Sequence, residues 1–234
     1  MYLTLCACVR VLETPWADGW RQCEMVPAFQ AVYSDFSVNI GAQGWPSDAV
    51  GMRVLFARQF VLGHVLGWLH AETILSVLHT DSDRKFLRSL AQLRLTNAQY
   101  LTYGRLMHPP NIGPSHGGHP LPTLSMCTQT YGNPPLHCCN DSAVVGHLWL
   151  AADGSLGLAV ANTAAVSLSV TFTLRVDTQV PFEVGDRVRV ALPRDEADGA
   201  FRDVVVGAAG LQVHKQIPAL SACVVQLALA GTVP

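Results

Sequence analysis

Two sets of side chains in this chain have types that could carry chemistry. The first is a set of carboxylates, Glu13, Asp18, Asp35 and Glu72, that fall on expected loop ends. Glycosidic bond hydrolysis needs two such groups facing each other across the bond, one as acid and one as nucleophile or base. Spacing alone assigns no pair, and each carboxylate taken singly reads first as a solvated or capping residue. The second set is His116, His119, His137, Cys138 and Cys139, which share a Pro/Gly-rich stretch and have the ligand types of zinc. Their spacing matches no closed zinc site and their flanks do not preorganise ligands, so no metal is expected. No G-x-S-x-G elbow, no phosphate-cradling G-x-x-x-x-G-K-S/T loop and no G-x-G-x-x-G turn after a strand is present. Acyl transfer and nucleotide chemistry are therefore disfavoured, and no cofactor is expected.

Composition narrows the partners. The 234 residues are 50% hydrophobic and only 14% charged, enough apolar material for a substantial core or two small ones. Lys+Arg 15 against Asp+Glu 17 gives a net charge of -2 without a basic block, which argues against a nucleic-acid partner. The 7 cysteines are an odd count with no C-x-x-C spacing, so no disulfide framework is indicated. Val50 to Leu69 is the most apolar long stretch, yet it holds Arg53, Arg58, Gln59 and His64. Burying an arginine at a bilayer centre costs about 2.5–3.5 kcal/mol, so a core helix is expected there and no membrane span. The first residues, MYLTLCACVRVLETPW, lack a basic start and a cleavage site, and no signal peptide is read from them. Localisation stays open.

The elements that would position these groups change character along the chain. Tyr2 to Leu12 reads as a strand, and Val26 to Tyr33 (VPAFQAVY) as a short strand buried on both faces. The loop after it carries Tyr33, Asp35 and Asn39, at the strand end where α/β folds bind ligands. Ser47 or Asp48 can cap a helix whose apolar stripe is Val50, Val54, Ala57, Val61, His64, Val65 and Trp68, with Gly63 and Gly67 near its end. Thr80 to Asp83 caps a second, amphipathic helix that buries Phe86, Leu87, Leu90, Leu93, Ala98 and Leu101. Residues 108–141, rich in proline, show neither helical nor strand period and read as a linker.

After Asp141 the period becomes that of short strands. Val144 to Ala151, Leu156 to Ala161 and Ser167 to Val176 form a meander with a turn at Asp153-Gly154 and another near Asn162-Thr163. Arg187 to Leu192, Phe201 to Val206, Leu211 to His214 and Ala222 to Leu229 add further strands, and a small antiparallel β-sandwich fits best.

The order of four segments carries a family resemblance: VPAFQAVYSDFSVNIG, a helix ending GHVLGW, a helix ending YLTYGRLMHPP, and VVGHLWLAADGSLGLAVANT. Over roughly residues 20–180 the chain resembles the C-terminal part of large glycoside-hydrolase-like TIM-barrel proteins of an uncharacterised carbohydrate-related family. In that family the last barrel units are followed by a β-sandwich whose opening strands carry a Trp, an Asp-Gly turn and a strand ending in Asn-Thr, matched by Trp149, Asp153-Gly154 and Asn162-Thr163.

The resemblance implies an α/β part followed by an all-β part, a partial (β/α)8-type barrel with a C-terminal antiparallel β-sandwich. Its divisions are a barrel portion over residues 1–107, the linker over 108–141 and an accessory sandwich over 142–234. It also implies carbohydrate binding or glycosidic bond hydrolysis. Asp35 and Glu72 would be the catalytic carboxylates, and Tyr33, Trp68 and His70 would contact the sugar. A whole barrel takes about 200 residues and only about two strand–helix units precede the linker, so the catalytic set is expected to be incomplete. The alternative is a non-catalytic interaction or structural module, or a degenerate product, that needs a partner chain. Open strand edges would favour a homo- or hetero-oligomer under either reading.

Overall fold

The computed structural model describes residue 32 and residues 48–66, 80–115, 119–130, 133–176, 180–191 and 201–230, with the backbone alone at 126–130, 133–139 and 201. Within them the chain is mostly sheet with few helices, and every strand pair is antiparallel.

Among the described elements of more than one residue, two helices come first. Helix α1, Ala49–Val61, starts at Asp48, whose carboxylate accepts a 2.7 Å hydrogen bond from the Gly51 amide. It is buried on nearly all sides, through Met52, Val54, Leu55, Phe56, Phe60 and Val61, and not along a single stripe. It also stops earlier than the apolar spacing through Val65 and Trp68 suggests. The Gly63 amide bonds the Phe60 carbonyl and the His64 amide the Gln59 carbonyl, with Gly63 at φ 69. This is a Schellman stop, and the left-handed residue it needs is supplied by glycine.

Helix α2, Asp81–Thr96, is capped by Thr80, and a short turn α3, Ala98–Leu101, follows. Asp83, in the first turn of α2, is 1% exposed and holds Arg53 of α1 at 2.6 Å. Burial alone would raise its carboxyl, but hydrogen bonds from Thr80 and Arg53 and the Arg53 charge outweigh this and hold it below the usual range.

Two corrections to the expected elements follow. Val32, the described residue of the stretch read as a doubly buried strand, is helical and 64% exposed. The stretch read as an aperiodic linker contains β2 (Asn111–Pro114), β3 (Thr123–Thr130) and β4 (Asn133–Ser142), besides β1 (Arg105–Leu106) just before it. Strands β3 and β4 form a two-stranded sheet of their own. Both of its strands are edges, where residues without an N–H such as Pro134 and Pro135 are tolerated.

The remaining strands are β5 (Val144–Leu150), β6 (Leu156–Asn162), β7 (Leu168–Leu174), β8 (Arg187–Ala191), β9 (Phe201–Val205), β10 (Leu211–Ile217) and β11 (Ser221–Leu229). They assemble as a six-stranded sheet, β1-β5-β6-β11-β8-β9, and a three-stranded sheet, β10-β7-β2. The Asp153-Gly154 turn joins β5 to β6, with Gly154 at φ 82.

Strand β6 explains how the layers stack. Every residue of it is buried. Leu156, Leu158 and Val160 enter the core shared with β7 and β10, while Ala159 and Ala161 face the cluster built by α1 and α2. Strand alternation thus gives one face large side chains and the other small ones, so the helices can approach closely. Gly157 belongs to the small face, where the Tyr100 ring lies so close that a Cβ would sit 2.4 Å from Tyr100 Cγ. Gly157→Ala is therefore expected to cost about 1–3 kcal/mol through overpacking. Combined with Tyr100→Leu, it should cost less than the sum of the two changes, as measured in a denaturation cycle.

Candidate functional site

The carboxylates and aromatics expected to handle sugar, Asp35, Glu72, Tyr33, Trp68 and His70, all lie outside the described residues. Of the groups weighed for zinc, His116 lies outside them too, and no side chain is described at His137, Cys138 or Cys139. The described residues contain no group of three or more His, Cys, Asp or Glu side chains placed to hold a metal ion. No described helix is long and apolar enough to cross a membrane.

What the described residues do form is a cleft of about 230 Å³ where the C-terminal end of α1 meets the end of β4 and the start of β5. Its polar groups are Arg58, Asp141, Ser142 and His147, set against Val61 and Ile112. Each is delivered by its element. Arg58 lies in the last turn of α1, Asp141 near the end of β4 opposite Leu124, and His147 on the face of β5 turned toward the helices.

Arg58 Nε and Asp141 Oδ2 are 2.6 Å apart with both side chains mostly buried, 19% and 15% exposed. The contact is an ion pair without the alignment of a straight hydrogen bond. It ties the β3–β4 pair to α1. Sequence reasoning missed this pair, because Arg58 entered only as a charge inside an apolar run and Asp141 closed a stretch without period.

His147 borders the cleft, but its Nδ1 is shielded from solvent and has no hydrogen-bond partner among the described residues. Burial is the main reason that its pKa falls from 6.5 to about 4, with the nearby His64 adding to the fall and a hydrogen bond to the Met107 backbone opposing it. The ring is neutral at pH 7 and the ion pair is internally compensated. The cleft therefore presents a neutral imidazole, a hydroxyl and apolar walls, with one carboxylate already held by an arginine. Two carboxylates facing across a bond, as glycoside hydrolysis requires, are not found in it.

The depressed His147 pKa makes stability depend on pH. Above pH 6.5 the imidazole is neutral in the folded and unfolded chains, and its burial carries no protonation penalty. As pH falls from 6.5 toward about 4 the unfolded chain binds a proton that the folded one does not, and stability is lost across that window. With some screening from the adjacent cleft, the expected loss is on the order of 2–3 kcal/mol. Denaturation of the chain at stepped pH should show it, and His147→Gln should flatten that segment of the profile. An unchanged slope in the variant would assign the dependence to another group.

No protein-family model matches the chain, and no curated protein matches it. Solved structures similar to it are glycoside hydrolases, at low similarity and over part of the chain. A GH30 endoxylanase from Clostridium papyrosolvens C71 matches with TM-score 0.25 and 14% identity, covering 45% of this chain and 24% of that one. Alpha-galactosidase I from Mortierella vinacea matches with TM-score 0.30 and 11% identity, covering 77% and 36%. The alpha-galactosidase from Saccharomyces cerevisiae matches with TM-score 0.31 and 10% identity, covering 82% and 45%. The chain spans less than half the length of each of these solved chains.

Proposed function

We propose that this chain is part of a glycoside-hydrolase-like protein, in which a β-sandwich accessory domain clamps the last helices of a (β/α)8-type barrel. Its function is carbohydrate binding or glycosidic bond hydrolysis, with the catalytic set incomplete in this chain. The observation that carries this reading is the junction at Trp149. Of the residues that mark the family resemblance, Trp149 meets the end of α1 and Asp153-Gly154 lies beside the Tyr100 contact, while Asn162-Thr163 fastens the turns at the end of β6. The Trp149 indole N–H donates a 2.9 Å bond to the Val61 carbonyl at the end of α1. The Tyr100 hydroxyl, from the turn after α2, lies 2.9 Å from the Ser155 hydroxyl beside the Asp-Gly turn. An accessory β domain that holds a preceding domain's terminal helices at a fixed angle would have such contacts.

Under this reading Asp35 and Glu72 are the acid/base candidates and Tyr33, Trp68 and His70 the sugar contacts. The test is an oligosaccharide-binding and aryl-glycoside screen of the purified chain, with light scattering to establish its oligomeric state. Binding or hydrolysis abolished by Asp35→Asn or Glu72→Gln supports it. Sugar binding that both substitutions leave intact removes those carboxylates from the site.

A second reading, a non-catalytic module that needs a partner chain, is favoured by the cleft. Its carboxylate, Asp141, is committed to Arg58 and so is not available as an acid or base. A chain that is silent toward sugars and self-associates would support this second reading.

A further inference from the structure

The two-stranded sheet places two cysteines at one register position. In the β3–β4 pair Cys127 stands directly across from Cys138, with Met126 opposite Cys139 and Thr128 opposite His137 on either side. Residues directly opposed on antiparallel strands direct their Cβ atoms to the same face, about 4.5–5.5 Å apart. Their Cα atoms lie about 4.5 Å apart at a non-hydrogen-bonded position and about 5.5 Å at a hydrogen-bonded one. Both separations fall within the roughly 4.4–6.8 Å that a disulfide spans. The Cα spacing thus admits a cross-link at either type of position, while the Cβ–Cβ separation of a disulfide, roughly 3.5–4.5 Å, is met only at the short end of the cross-strand range, so closure draws the two strands together locally.

We propose that Cys127 and Cys138 are a redox-active pair that closes into a cross-strand disulfide by exchange with a low-molecular-weight disulfide of the glutathione class. One protein thiolate attacks a sulfur of the oxidised reagent, its S–S bond breaks, and one glutathione thiolate leaves and takes up a proton. The second protein thiolate then attacks the protein-side sulfur of the mixed disulfide and releases the other glutathione as a thiol. Two protein thiols are oxidised to one disulfide, and one reagent disulfide is reduced to two thiols.

Neighbouring cysteines are placed differently. Cys139 follows Cys138 directly, so strand alternation puts it on the other face of the pair, opposite Met126. Cys223 is buried on β11, in the core between the larger sheets. Closure would enclose the chain from Cys127 to Cys138 in a covalent ring. It would also fix the register of the strand that continues to Asp141, the residue paired with Arg58 of α1. The cleft wall thereby becomes sensitive to thiol redox state.

The experiment is equilibration of the full chain with mixtures of reduced and oxidised glutathione, followed by acid quench, alkylation and non-reducing peptide mapping. The expected product is a cross-linked peptide pair joining Cys127 to Cys138, lighter by two hydrogens than the reduced pair and restored by excess reduced glutathione. Cys127→Ser and Cys138→Ser should each remove that species and leave the surviving cysteine as a glutathione mixed disulfide, whereas Cys139→Ser should leave it in place. The unmodified chain answers the question even if a variant folds poorly. Cys138 joined to any other cysteine, or both thiols fully alkylated under oxidised glutathione, overturns the proposal.

Discussion

Truncating Trp149 to alanine is expected to remove about 3–5 kcal/mol of stability, a large part of what a domain of this size possesses. The indole is 1% exposed and belongs to the cluster formed by α1, α2 and the small-residue face of β6. It also closes the end of α1. Its N–H bonds the Val61 carbonyl, one of the orphan groups of a helix terminus, and its ring edge lies where a Cβ on Gly63 would fall, 2.8 Å from Cη2. Trp149→Phe separates these contributions. It keeps much of the apolar area but leaves the Val61 carbonyl without its donor, which should cost about 1–3 kcal/mol. Denaturant titration of the two variants should rank them in that order, with unchanged slope if the native layers persist. A Trp149→Ala midpoint close to that of the parent chain would mean that the junction adds nothing and would remove the main support for a clamping role.

Much of the β part was legible because its physical cause is local. Strands β5, β6, β7 and β11 announce themselves by apolar alternation or short apolar runs bounded by turn residues, and the Asp-Gly pair marks the β5–β6 hairpin. Other features depend on contacts that sequence order does not reveal. The end of α1 is set by a left-handed Gly63 that lies against Leu101 and Trp149, so an apolar spacing running on through Val65 pointed past it. The burial of α1 on nearly all sides comes from enclosure by α2, β3, β5 and β6, and a single-stripe reading cannot anticipate that. Strands β3 and β4 escaped notice because proline and asparagine mask their period in a sheet with no interior strand. The Arg58–Asp141 pair depends on that unexpected strand, so it could not be read without it.

Asn162 provides the other large effect. Exchange for aspartate at neutral pH is expected to cost about 3–5 kcal/mol, because it places an uncompensated charge in a site that is 0% exposed. Asn162 ends β6 and joins two turns. Its Nδ2 donates toward the carbonyls of Val166 at 2.9 Å, Pro218 at 2.9 Å and Ile217 at 3.2 Å, while its Oδ1 accepts from the Ala164 amide at 3.0 Å. A carboxylate keeps the last bond but faces the carbonyls with negative charge and no donor. Thr163 beside it fastens the same corner to the Ala143 carbonyl through its hydroxyl at 2.9 Å. Buried against these acceptors, the new carboxyl should have a raised pKa. The penalty is then full above that folded value and is relieved as pH falls through it toward the unfolded value of about 3.9, where a protonated acid can donate again. The parent chain loses His147-dependent stability over part of the same range, so the difference between variant and parent at each pH is the quantity to follow. Asn162→Ala, which removes the donor without adding charge, should cost less at pH 7 and show no such recovery. A flat difference for the aspartate variant would mean that the side chain has turned to solvent and that Asn162 does not hold the two turns together.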